Sequence, residues 1–142
     1  MIRKKIKKIL VPLDGSKNSI RGLDNAIFVA RACHATITGI YILPIYPKNF
    51  VDAIAPHIFH PEREAKKFLA DAKKRAAQNG ILFKSKLIWG SPTCEIQEMI
   101  NSKKFDLIVI GARGKGFVKE LFLGSVSNAI VHKSKIPVMV VK

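Results

Sequence analysis

Acidic residues are scarce in this chain: ten Asp and Glu stand against 25 Lys and Arg, for a formal net charge of +15. Such an excess suits a nucleic-acid or anionic lipid surface, but lysines that only face solvent are the favoured reading. Cysteine is scarce too. Cys33 and Cys94 stand far apart and form no CxxC pair, so no disulfide framework is expected, and both are read as free, buried thiols. No apolar run approaches the roughly 18 residues a membrane helix requires. Met1 to Lys8 imitates the basic start of a secretion signal, but only Ile9 to Leu13 follow before Asp14, and no small-residue cleavage site appears. A cytoplasmic location is expected. RNP-like aromatics, zinc-finger spacing, a helix-turn-helix and the GxxxxGK[ST] phosphate loop are all absent as well.

What remains is a globular composition, 48% apolar and 25% charged, in 142 residues. That is the length of one domain, expected to span 1–142 with a real core. Five short apolar runs read as strands: Ile6–Leu13, Thr36–Leu43, Ile81–Trp89, Leu107–Ile110 and Val138–Val141. Helical spacing fills the gaps. Ser16 can cap a helix carrying Ile20, Leu23, Ile27 and Ala30, and Glu62 to Gln78 places Ala65, Phe68, Leu69, Ala72 and Ala76 on one face before Asn79-Gly80. Thr93 is a candidate cap for a third helix with Ile96, Met99 and Ile100. A fourth would start at Ser125 and carry Val126, Ala129 and Ile130. Alternation of this kind predicts an α/β fold, an open, mostly parallel, doubly wound sheet with helices on both faces. Pro44 to Pro61, with four prolines and no glycine, reads as a long loop or functional insert.

Open parallel sheets bind ligands beyond the carboxyl ends of their strands, where the strand order reverses. The turns that follow strands therefore carry the chemistry. After the first comes Pro12-Leu13-Asp14-Gly15-Ser16; after the fourth comes Gly111-Ala112-Arg113-Gly114-Lys115-Gly116, with Gly124-Ser125 further on. Glycines at 111, 114 and 116 allow positive φ and leave no Cβ between backbone N–H groups and an anion. Gly124-Ser125 opens a helix whose first N–H groups have no partner, while Arg113 and Lys115 supply positive charge. Val118, Leu121 and Phe122 have the spacing of one anchoring helical turn. The turn suits a polyphosphate, and a flexible glycine-rich turn is the plainer alternative. His57 and His60 have a usable offset for zinc but no second ligand pair.

Gly111-x2-Gly114-x9-Gly124-Ser125 resembles the G-x2-G-x9-G-[S/T] signature of ATP-binding universal stress proteins. Lys8 to Ser16 resembles that family's first strand and acidic turn, Trp89-Gly90-Ser91-Pro92 its G-x-P turn, and Gly124 to Val141 its closing helix and strand. The similarity spans nearly the whole chain, with Pro44 to Pro61 unmatched. It implies strand order 3-2-1-4-5 in a Rossmann-like sheet. It also implies that Asp14 bonds the ribose, that Pro12 and Ile42 line the base site, and that Gly111, Gly114, Gly124, Ser125 and Val126 wrap the phosphates. ATP is the implied ligand, with Mg or Mn held mainly by its phosphates and by water. In the implied order the last strand, within 136–142, is a sheet edge, and a homodimer through it is expected. No residue presents itself as a water-activating base: Asp14 is assigned to ribose and Glu120 to the anchoring turn. A nucleotide-responsive regulatory module with a protein partner is thus favoured over a slow ATPase. A basic nucleic-acid-associated protein is the third reading.

Overall fold

In the computed structural model the described residues are 5–45, 60–102, 104–114 and 123–142. Nine elements alternate along them: β1 (Lys8–Leu13), α1 (Lys17–Cys33), β2 (Thr36–Leu43), α2 (Pro61–Gln78), β3 (Phe83–Trp89), α3 (Pro92–Asn101), β4 (Leu107–Gly111), α4 (Ser125–Lys133) and β5 (Val138–Val141). The strands form one parallel sheet in the order β3-β2-β1-β4-β5. The expected architecture and strand order are both present.

Side chains alternate across the sheet and build two cores. Ile9, Val11, Leu13, Ile37, Tyr41, Phe83 and Val109 pack under α1 and α2 with Leu23, Ile27 and Leu69. Leu10, Ile40, Ile108 and Ile110 pack on the opposite face with Ile96, Ile100 and Ile130 of α3 and α4. β1 and β4 are the strands covered on both sides, which explains why they read as continuous apolar runs.

Several boundaries move, each for a physical reason. Ile6 precedes β1 and contributes only a partly buried side chain to the first core. Ile81 precedes β3 because its N–H still donates to Ala76 O in the turn through Gly80 (φ 73°) that ends α2. Leu82 meets β2 only through its carbonyl, which accepts from Ile37 N at 3.0 Å. Gly111 extends β4 by pairing with Val141. α3 is preceded by Ser91, not Thr93, since Pro92 occupies its first turn, where a missing N–H costs nothing. Ser16 caps α1 as expected, accepting from Ser19 N at 3.1 Å. In α4 the buried residues are Ser127 and Ile130, with Ala129 only half buried. Both cysteines are free, but Cys94 is exposed and Cys33 half buried, which corrects the expectation of two buried thiols. No helix among the described residues is long and apolar enough to cross a membrane.

Candidate nucleotide site

The order reversal lies between β1, which leads to β2, and β4, which leads to β5, so the turns that leave β1 and β4 face each other. The first turn is fixed from three directions. Gly15 takes φ 83°, which a side chain would strain, and Asp14 Oδ1 accepts from Ser16 N at 2.9 Å. The third fixing point is Tyr41, whose hydroxyl donates to the Asp14 carbonyl at 2.9 Å. The Tyr41 ring is buried on the other face of the sheet, edge-on to Phe68 of α2 at 5.9 Å. Nothing in the sequence singled out Tyr41 for this task; its signal was only its position next to Ile42.

The second turn is clamped where it leaves the sheet and where it returns. The Ala112 carbonyl accepts from Gly124 N at 2.7 Å and from the buried Ser127 hydroxyl at 2.7 Å, while Ala112 N donates to Val141 O at 2.7 Å. The excursion thus begins and ends at one point on the sheet. The first N–H groups of α4 lack partners within the helix and stand at that same point.

Space requires glycine at 111, where the obstacle is backbone, while at 114 a side chain would have to displace the Asp14 carboxylate. Neither has positive φ, contrary to the expectation drawn from the loop's composition. A Cβ on Gly111 would lie 2.7 Å from the Asn18 carbonyl oxygen, and one on Gly114 would lie 2.6 Å from Asp14 Oδ2. The two turns are therefore in direct contact, with the Asp14 carboxylate against the backbone of the glycine loop.

Around this contact opens a cavity of about 430 Å³, within the range of small-ligand sites. Pro12, Asp14, Ile42, Gly111, Arg113, Gly114, Gly124, Ser125 and Val126 all line it. Of the residues singled out from sequence, Lys115 lies outside the described residues, as do Gly116, His57 and the turn containing Val118, Leu121 and Phe122. Lining residues that sequence reasoning missed are Leu13, Ser19, Ile40, Pro44, Pro92, Ile96, Ile110 and Ser127. Pro44 and Pro92 had a readable signal, since each follows a strand; the others become wall only once helices pack on the sheet. The cavity wall thus divides into apolar side chains, Ile40, Ile42, Ile96 and Ile110 among them, and polar groups, namely backbone, hydroxyls, Asp14 and Arg113. That division suits a flat apolar group joined to a polar, anionic one. No group of three or more His, Cys, Asp or Glu among the described residues could hold a metal ion.

A doubly wound parallel sheet with a glycine-lined cavity at its order reversal defines a Rossmann-like α/β domain. The universal stress protein family matches residues 5–142, and the chain belongs to that family. It is 33% identical over 139 residues to a universal stress protein of Methanocaldococcus jannaschii, covering 96% of this chain and 82% of that one. It is 31% identical over 148 residues to the universal stress protein YxiE of Bacillus subtilis, covering 95% and 98%. Among solved structures, UspA from Lactobacillus plantarum superposes with a TM-score of 0.86 at 22% identity, covering 99% and 100% of the two chains. A universal stress protein in complex with cAMP superposes at 0.73 with 25% identity, covering 98% and 99%.

Proposed function

We propose that residues 1–142 form one adenine-nucleotide-binding regulatory domain, with ATP as its ligand and a role in the stress response. The observation that carries this reading is the contact between the Asp14 turn and the Gly111–Gly114 turn inside a cavity lined by both apolar side chains and polar groups. A family member of the same fold in complex with cAMP supports an adenine nucleotide as the class of ligand. Adenine would lie against Pro12 and Ile42, and Asp14 would accept from the ribose hydroxyls. The phosphates would meet the backbone of Gly111, Gly114 and Gly124, the α4 terminus at Ser125 and Val126, and the charges of Arg113 and Lys115. Mg or Mn would be held mainly by phosphate oxygens and water. The domain works by occupancy, changing conformation or contacts with a protein partner in the cytoplasm, and the homodimer forms through strand 136–142.

Mass spectrometry of material released from the denatured protein, followed by calorimetric titration with ATP and adenosine, tests this reading. Asp14→Ala should weaken both ligands alike, by about 1.5–3 kcal/mol, because the ribose contact does not depend on phosphate. Loss confined to ATP would make Asp14 a phosphate or metal residue instead. Absence of any nucleotide binding at millimolar concentration would end the proposal.

A further inference from the structure

A parallel sheet gathers all strand starts, and the helix ends that feed them, at the pole opposite the cavity. Charge divides sharply between the two poles. At the strand-start pole, Lys5, Lys7 and Lys8 lead into β1, and Arg31 closes α1. Lys104 precedes β4, and Lys133 and Lys135 stand between α4 and β5. These seven cations are all exposed. Hydrogen bonds tie their segments side by side: Thr36 N to Lys7 O at 2.9 Å, Asp106 N to Lys8 O at 2.8 Å, and Ile108 N to Pro137 O at 3.0 Å. The acids there among the described residues are Glu98, in the last turn of α3, and Asp106, whose carboxylate accepts from Lys7 N at 2.9 Å and Lys8 N at 3.0 Å. At the cavity pole the described charges are mixed instead: Asp14, Glu62, Glu64 and Glu95 against Lys17, Arg63, Arg113 and Lys142.

Helix dipoles account for Arg31 and Lys133, which lie in last turns, but not for Lys5, Lys7 and Lys8, which lead into a strand. We propose that this basic pole is a docking surface for the phosphate backbone of double-stranded nucleic acid, read without regard to sequence. This is independent of the nucleotide site. The cations stand at the starts of four adjacent strands, β2, β1, β4 and β5, about 14 Å at 4.8 Å per strand, and a duplex presents roughly eight phosphate charges over that length. Among the described residues no helix N-terminus or strand ribbon projects from this pole to read bases. A lipid surface fits less well. The exposed apolar side chains near these segments, Phe28 one turn before Arg31, Leu82 and Val131, stand singly on separate elements and offer no contiguous patch to enter a bilayer.

The test is fluorescence anisotropy of the full chain on a labelled duplex of arbitrary sequence, about 20 base pairs long, over a salt series starting near 50 mM. The triple variant Lys7→Gln, Lys104→Gln, Lys135→Gln should bind at least about tenfold more weakly, with a salt slope shallower by about 2.7. The triple variant Arg63→Gln, Lys66→Gln, Lys67→Gln removes the same charge from α2 and should stay within about twofold of the parent. If the pole triple does not fold, Lys7→Gln and Lys135→Gln alone should each lower the slope by about 0.9. Equal weakening by both triples would mean a net-charge effect and overturn the assignment. So would no binding at the lowest salt, or binding to phosphatidylserine vesicles but not to the duplex.

Discussion

β3 and β5 are the two edges of one sheet, yet they meet solvent very differently. β3 is seven residues long, and Lys84, Ser85 and Lys86 at its centre are all exposed. β5 is four residues, Val138-Met139-Val140-Val141, without a charge and only partly exposed. In the β4–β5 ladder the carbonyls of Pro137 and Val141 accept from Ile108 and Ala112. Alternate residues face opposite ways, so the N–H and C=O of Val138 and Val140 point away from the sheet. Lysine on an edge strand is a common means of preventing another strand from adding to it. The sheet thus has one guarded edge and one unguarded edge, which gives the proposed dimer a single direction in which to form.

The largest effect that would break this contrast lies inside the guarded edge. Phe83 is 3% exposed, and its ring fills the space where a Cβ on Gly39 would be, 2.1 Å from the ring tip. Phe83→Ala should lower stability by about 3–5 kcal/mol in urea unfolding, because the cavity opens beneath the strand. A loss below about 1 kcal/mol would mean that β3 is not held from within.

Next is the unguarded edge. Val140→Pro removes an outward N–H while sparing the bonds to β4, so the fold should persist and light scattering should report one chain in place of two at micromolar concentration. A dimer that survives this change must use another surface. A smaller effect should follow from removing the guard. With Lys84→Thr and Lys86→Val together, β3 should gain concentration-dependent association in sedimentation, while the parent shows none through this edge.

The smallest effect concerns the tie between the helices above β3 and β1. Arg75 of α2 pairs with Asp24 of α1, Nη2 to Oδ2 at 2.9 Å, and the Asp24 bond and charge raise the Arg75 pKa from its ordinary value. Both side chains are about half exposed, so Arg75→Ala should cost no more than about 1 kcal/mol in thermal unfolding. No pH dependence near neutrality is expected from it, because a guanidinium with a raised pKa stays charged throughout.

Element type was legible in sequence wherever burial was one-sided or complete. Thr36–Leu43 and Val138–Val141 were read with their observed ends, and Ser16 capped the helix it was expected to cap. What was not legible depends on contacts between distant segments. Glycine at 111 and 114 invited an argument from backbone freedom, whereas the constraint is the Asn18 carbonyl and the Asp14 carboxylate, neither of them a neighbour in sequence. Nothing in the sequence marks Ser19 and Ser127 as buried; only packing shows it, with Ser127 closing the loop at Ala112. The exposure of Cys94 follows from its helix face, which two isolated cysteines could not reveal.

The junction of β1 with β4 also sets when the cavity can exist during folding. Asp106 bonds Lys7 and Lys8 across 99 and 98 residues of sequence, and Ile9 and Leu10 pair with Leu107 and Ile108. Closing so long a loop comes late and slowly in a folding reaction. A chain leaving the ribosome has its Asp14 turn long before the glycine turn that must meet it. Any ligand bridging the two can therefore hold only the completed fold, adding about 2.7 kcal/mol when present at a hundred times its dissociation constant. Heat or denaturant should then release ligand and structure together.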